Sequence, residues 1–309
     1  MKLAYLITAA DDPAQLRRLV SALHTDAEFY IHVDADADIA PFMENMSAPN
    51  IHFTDVREHV KSNNFSAVRA QMLLVADCVN SGVNFDYVFF LSSADYPLWH
   101  CERITEFLYD NRGREYLTAI CLASPEVGAS FTKDYKQMRP DIDIPFLGDA
   151  ARDRINNASR KLLSAAGLRK SLQFKVSRSI WKLYRGGSAW CISGKLLNFV
   201  FGYYERHKEI HSYFSNQLRP IETVVPTIAF NTPHAKCCTL HIGNFTSMSD
   251  LMPLHFMVAS QSGYKILDER NYHKIVSSGM MFVRGVNSSS SSMLLNMIDK
   301  YRAASAPVD

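Results

Sequence analysis

The chain opens on a continuous apolar run, "LAYLITA" (residues 3–9), of the length of one buried strand. A polar break follows, and then Leu16, Leu19, Val20 and Leu23 recur at helical spacing. Asp11 or Asp12 is placed to cap this helix, and Pro13 suits its first turn. The alternation continues. "AEFYIHVD" (27–34), "IHFTD" (51–55), "FDYVFFLSS" (85–93) and "EYLTAIC" (115–121) read as strands. "FSAVRAQMLLVADCVNSG" (65–82), stopped at Gly82, and "CERITEFLYDN" (101–111) read as helices. Apolar strands alternating with amphipathic helices predict an α/β fold, a mostly parallel sheet covered on both faces. Ligands bind such sheets at the carboxyl ends of the strands. Here those ends are "TAADD", "VDADAD" and "SSADYP".

Composition sharpens this in one place. Ten arginines and lysines between Arg152 and Arg185 stand against Asp149 and Asp153. Residues 149–185 therefore read as a basic helical insertion, either a solvated face or a contact for an anionic surface or phosphate-bearing substrate. The net charge of the whole chain is +2, so no global field marks a nucleic-acid binder. Six cysteines show no CxxC spacing, which disfavours zinc and implies no disulfide framework. The amino terminus lacks the apolar run of a signal peptide, and no stretch reaches the ~18 apolar residues of a membrane span. The expectation is a protein working in a reducing cytosol. "NSSSSS" near the end reads as a flexible linker (288 onward) before a terminal helix in "MLLNMIDKYRAA".

Several residues are candidates for chemistry. "HVDADAD" offers Asp34, Asp36 and Asp38, a possible metal or DxD cluster, but an EF-hand would need glycine and glutamate where Ile39 and Asn45 stand. Asp34, at the end of the second strand, is placed to accept from a ribose hydroxyl or a base N–H, or merely to cap. "FFLSSADYPLW" delivers Ser93 and a half-buried Asp95 to the ligand edge; a structural Asp bonding nearby N–H groups is the alternative. "RGGSAWCIS" sets Ser188 and Trp190 behind two glycines that allow close backbone approach. An indole can stack on a sugar, although a lone Trp is more often core. "RPIETVVPTI" puts Glu222 at a helix start, as a cap or as a general base.

Taken in order, "MKLAYLITAADDPAQLRRLVSAL", "FYIHVDADAD", "FDYVFFLSSADYPL", "RGGSAWCIS", "RPIETVVPTIAFNT" and "SSGMMFVRGV" resemble glycosyltransferase family 14. That family holds the core-2 and I-branching β-1,6-N-acetylglucosaminyltransferases and the peptide O-xylosyltransferases. The resemblance covers residues 1–287. It implies one GT-A-like domain, a nucleotide-sugar donor (usually UDP-linked), inversion at the anomeric carbon, and no metal or other cofactor. "DADAD" is then a polar loop in which Asp34 matters. Glu222 matches the family's general base. Asp34, Ser93, Asp95, Ser188, Trp190, His255 and Arg284 are expected around the nucleotide sugar.

The sequence also departs from the family pattern. "WGG" is replaced by Ser62, Asn63 and Asn64, a histidine by Ala10, the lysine of "FaRKF" by Gly285, and an upstream arginine by His255. The base is kept while the positive charge for the departing diphosphate is thinned. The expectation is a bacterial, cytoplasmic enzyme that adds N-acetylglucosamine or xylose to a free or lipid-linked saccharide, with peripheral contact at the inner membrane face and no nucleic-acid partner. The alternative is a catalytically impaired relative that only binds nucleotide or glycan.

Overall fold

A computed structural model describes residues 1–61, 63–139, 148–243, 245–260 and 263–305. Its strands are β1 (Leu3–Ala9), β2 (Glu28–Val33), β3 (Ile51–Phe53), β4 (Tyr87–Ser92), β5 (Asp95–Pro97), β6 (Thr118–Cys121), β7 (Gln173–Val176), β8 (Ser179–Lys182), β9 (Tyr184–Gly186), β10 (Trp190–Ser193), β11 (Thr239–Leu240), β12 (His255–Phe256), β13 (Ala259–Ser260), β14 (Gly263–Tyr264) and β15 (Phe282–Arg284). Its α-helices are α1 (Pro13–Ser21), α2 (Ala40–Met43), α3 (Ser66–Asn80), α4 (Cys101–Asp110), α5 (Ala129–Thr132), α6 (Asp149–Ala165), α7 (Gly194–Arg206), α8 (Lys208–Phe214), α9 (Val224–Phe230), α10 (Tyr272–Ser277) and α11 (Ser292–Ala304).

The main sheet has five strands in the order β10-β4-β1-β2-β3, parallel except for β10, which runs antiparallel to β4. Its construction follows from the alternation of side chains along β1. Leu3, Tyr5 and Ile7 point to one face and pack with Leu16 and Leu19 of α1, Phe29, Phe89 and Ile104 of α4. Ala4 and Leu6 point to the other and pack with Val68, Met72 and Val75 of α3, Phe90 and Trp190. Both faces are therefore dry, as an apolar parallel sheet requires. Asp12 caps α1, its Oδ1 accepting from the Gln15 N–H at 3.0 Å.

Register fixes the ligand edge. Thr8 lies opposite His32 on one side and Ser92 on the other, so β1, β2 and β4 end together. The chain continues the ladder past their ends, with the Asp34 N–H donating to Ala9 O (2.8 Å) and the Ser93 N–H to Thr8 O (2.9 Å). Beyond this edge a small sheet, β12-β15-β5, carries a further apolar cluster that includes Tyr96, Val283, Leu294 and Ile298.

Three expectations are corrected. "EYLTAIC" does not extend the sheet in parallel: Tyr116 makes an isolated antiparallel bridge to Cys191 of β10, and β6 then pairs with β9 and β11. Residues 149–185 are helical only as far as Ala165. Beyond a left-handed Gly167 they form a β7–β8 hairpin, in which Phe174 and Val176 turn inward between outward Gln173 and Lys175. That period of two outweighs the charge density that suggested a helix. The Ser-rich segment is a hydrogen-bonded turn: the Ser288 N–H donates to Asp12 Oδ2 (2.6 Å), the Ser290 N–H to Asn287 Oδ1 (2.7 Å), and buried Ser291 Oγ–H to Leu267 O (2.6 Å).

Candidate functional site

Asp34 sits where expected, at the end of β2, but its carboxylate is occupied. Oδ1 accepts from the Asp36 N–H (2.9 Å) and Oδ2 from the Val60 N–H (3.1 Å), which ties the loop 57–60 to the sheet edge. Asp36 and Asp38 turn elsewhere: Asp36 Oδ1 meets His59 Nδ1 at 2.7 Å, and Asp38 Oδ1 accepts from the Ala40 N–H at 3.1 Å. His32 is buried, with Nε2 accepting from the Glu58 N–H at 2.9 Å. Among the described residues, no three His, Cys, Asp or Glu side chains gather as a metal would require.

Asp95 is fully buried rather than half-buried. It opens β5, antiparallel to β15, and the register puts it opposite Arg284. The two form a forked pair: Arg284 Nε–H to Oδ1 and Nη2–H to Oδ2, each 2.6 Å. The Ser92 N–H adds a bond to Oδ2 at 2.8 Å. Arg284 Nη1 reaches Ser188 Oγ. His255, also buried and stacked on Phe282, holds Nε2 3.6 Å from Asp95 Oδ2, too far for a hydrogen bond. Burial alone would raise the Asp95 carboxyl, but Arg284 and His255 together hold it well below the usual carboxylate range. Burial likewise works against the Arg284 charge, yet Asp95 lifts its proton affinity above the ordinary arginine value. For His255 burial prevails over Asp95 and pushes its pKa down, so the ring is neutral at pH 7. The pair is an internal brace, with both ends withdrawn from solvent.

The glycines before Ser188 hold the backbone against its neighbours. A Cβ on Gly187 would lie 2.5 Å from Leu251 O, and one on Gly186 2.7 Å from Pro226 Cγ. Gly285, where the family pattern has lysine, has φ of 101° with Lys265 O only 2.2 Å from its notional Cβ. No side chain fits there without moving that backbone. Trp190 is corrected from a sugar platform to a core residue: it is 2% exposed and stacks on Phe90 at 5.2 Å between centroids. Asp34 and Asp95 do not end neighbouring strands either, since β1 runs between β2 and β4. Two strand spacings, about 10 Å, separate them across the sheet. Ser93 is buried beside Thr8, and Ser188 is partly exposed. Ser62 of the altered "WGG" segment lies outside the described residues.

Glu222 closes a 3₁₀ turn, Pro220–Glu222, that leads into α9. Arg219, just before it, is held in the left-handed region at φ 47°. Arg185 of β9 donates Nε–H to Glu222 Oε2 at 2.9 Å, and Arg219 Nη1 stands 3.9 Å from Oε1. Arg185 is buried beneath Phe131, Tyr135 and Phe245, its guanidinium carbon 5.3 to 5.5 Å from their ring centres. Arg284 lies within electrostatic reach of Glu222. The structure thus gathers Glu222, Arg284 and Ser188 toward one region and leaves Asp34 at the far side of β1. Sequence reasoning missed Arg185, Arg219, Phe131 and Tyr135. Arg185 was visible only as the last charge of a basic run. Its place in "YRGGS", beside the glycines, was the available signal.

A family model described as Core-2/I-Branching enzyme matches residues 3–249, most of the chain. Among curated proteins none matches. Solved structures give distant likenesses. S. aureus TarS 1-349 is 11% identical with a TM-score of 0.32, the alignment covering 70% of this chain and 56% of that one. The glucosyl-3-phosphoglycerate synthase from Mycobacterium tuberculosis, in complex with Mn2+, UDP and glucosyl-3-phosphoglycerate, is 11% identical with a TM-score of 0.35, covering 81% and 74%. This chain therefore spans little more than half of TarS 1-349. Similarity this distant says nothing about the site.

Proposed function

Because the chain belongs to the Core-2/I-branching enzyme family of glycosyltransferases, we propose that it is an inverting enzyme moving N-acetylglucosamine or xylose from a UDP-sugar to a saccharide hydroxyl. Glu222 is the base. Its setting carries the reading: Oε2 is oriented by Arg185, while Oε1, 3.9 Å from Arg219, is beyond a good hydrogen bond and left to accept an acceptor proton. The acceptor oxygen then attacks the anomeric carbon opposite the nucleotide. The C–O bond to the diphosphate breaks as the new one forms, so no covalent enzyme intermediate arises. The UDP leaves as an anion that needs stabilisation in place. No metal is assigned, and the family's lysine is absent at Gly285. The donor lies along the edge of β1, β2 and β4, near Asp34 and Ser188. The work is done in the cytoplasm, on a lipid-linked saccharide at the inner membrane face, with α6 and the β7–β8 hairpin turned to the anionic lipid. No described helix is long and apolar enough to cross a membrane.

A second reading, a nucleotide- or glycan-binding relative with little transfer, is favoured by one observation. Arg284 is fully engaged by Asp95 and Ser188, and His255 is buried, so neither is free to neutralise a diphosphate. The test is a panel of UDP-sugars with saccharide acceptors, read by UDP release and by binding. Acceptor-dependent UDP release supports the enzyme. Binding without turnover across the panel supports the second reading. No binding of any nucleotide sugar or saccharide in the panel overturns both.

A further inference from the structure

Beside Glu222 lies a pocket of about 380 Å³ whose lining includes Arg139, Arg185, Arg219, Tyr135, Phe131 and Asp134. This volume falls in the range of small-ligand sites, on the order of 300 to 1,000 Å³. Its charge is unbalanced. Three arginines line it, against Asp134 in the lining and Glu222 beside Arg185 and Arg219. Arg160 of α6 also lies within electrostatic reach of Arg139. Like charges drawn together in a half-buried site repel, and burial removes the water that would screen them. Burial, then Arg160 and Arg219, weaken the hold of Arg139 on its proton. Among the described residues, two buried polar atoms on the lining have no hydrogen-bond partner: Arg139 Nε and the hydroxyl of Tyr135, a residue only 3% exposed. A cluster of cations and unpaired donors, with a partly buried aromatic ring at Phe131, is what an anion with a sugar attached would complete.

We propose that this pocket takes an oxyanion carried by the acceptor, so that the acceptor is an acidic saccharide bearing a phosphate or a carboxylate. The proposal rests on the assignment of Glu222 as base, because only then is this the acceptor side. Neither Arg284 nor Ser188, beside which the donor would lie, lines this pocket. Arginine suits the task, since its planar fork matches both oxyanions bidentately. Arg185 links the two functions: it is bound to the base through Nε and shares the pocket.

The experiment titrates the protein at low salt with glucose 6-phosphate, glucuronate and glucose, and separately with UDP, by calorimetry. The same titrations follow for Arg139→Gln/Arg219→Gln, with the melting temperature as a check on folding, and for Arg219→Lys as a second variant that keeps a charge. The expected result is binding of one or both acids, no comparable binding of glucose, a loss of about tenfold or more in the double variant, partial recovery with lysine, and UDP affinity unchanged. Preference for the phosphate or for the uronate identifies which acid the acceptor carries. Equal binding of glucose, no binding of either acid, or full binding by a folded double variant overturns the proposal. So does competition between glucose 6-phosphate and UDP, which would give the pocket to the donor. Failure of the glycosyltransferase reading looks different: UDP-sugars then go unbound, whatever the acids do.

Discussion

Arg284→Met should reveal what Arg284 is for. The substitution keeps length and apolar bulk and removes the charge. In the parent, Asp95 takes two 2.6 Å bonds from Arg284 and one of 2.8 Å from the Ser92 N–H. In the variant only the last survives, with His255 Nε2 3.6 Å away. A fully buried carboxylate then stands without its arginine, and breaking a buried pair in this way costs about 3 to 5 kcal/mol. At a slope of about 3 kcal/mol per molar urea, the unfolding midpoint should fall by about 1 M or more. The pH dependence adds a sign. In the parent, Asp95 has a folded pKa below its unfolded value. Its contribution is thus complete above about pH 4 and lost as pH falls through the folded pKa. In the variant, burial without Arg284 should raise the folded pKa above the unfolded one, so Asp95 destabilises increasingly as pH rises past about 4. The stability gap between the two proteins should therefore narrow between pH 7 and pH 4. Urea unfolding at three pH values measures it. An unchanged midpoint at pH 7 together with lost UDP affinity would refute this reasoning and return Arg284 to the donor's diphosphate.

Four further outcomes are expected. Glu222→Gln should cut turnover by roughly 10²- to 10⁴-fold with UDP affinity kept; because Arg185 loses its counter-charge, turnover is scored per folded molecule, and near-normal turnover removes the base assignment. Gly187→Ala, whose Cβ would meet Leu251 O at 2.5 Å, should cost about 1 to 3 kcal/mol in urea unfolding; no loss would mean that the 187–188 segment shifts freely. Activity should persist in excess chelator; complete loss that manganese restores would bring "DADAD" back as a metal site. Binding to anionic vesicles should weaken as salt rises, since the attraction is screened over about 8 to 10 Å at physiological ionic strength; indifference to salt would leave α6 and the β7–β8 hairpin as a plain solvated surface.

The strands and most helices were legible because burial writes itself into the period of apolar residues. Sheet order was not. Nothing in "YIHVD" or "FFLSS" says that β1 lies between them; crossover connections decide that. The forked pair was equally hidden, since Asp95 and Arg284 are 189 residues apart. Each looked like a polar residue at a ligand edge, and only their pairing across β5 and β15 turns them inward. Trp190 misled for a related reason. Two glycines and a serine before it suggested an open site, but β10 alternates, and the indole falls on the face toward Phe90. In the basic stretch, charge count concealed the alternating Phe174, Val176 and Trp181 that make a hairpin. The place of Glu222 at a helix start was legible because its signal is local: a proline, a carboxylate and an apolar helix in succession.

These placements change the meaning of the thinned diphosphate site. Gly285 stands where the sequence reading expects a lysine, yet the position is no vacancy waiting for a cation, because the backbone at Lys265 occupies the space a side chain would need. Arg284 is retained, yet it is spent on Asp95. Positive charge has not left the protein; Arg139, Arg185 and Arg219 line one pocket beside Glu222. On the proposed assignment, Arg185 and Arg219 touch the base and also line this pocket, so an acceptor that brings its own negative charge binds against the same two cations that orient Glu222. Transfer should then depend on the acid: removing the phosphate or carboxylate from an otherwise identical acceptor should lower kcat as well as raise KM. A change in KM alone would mean that the arginines bind the acceptor without influencing Glu222.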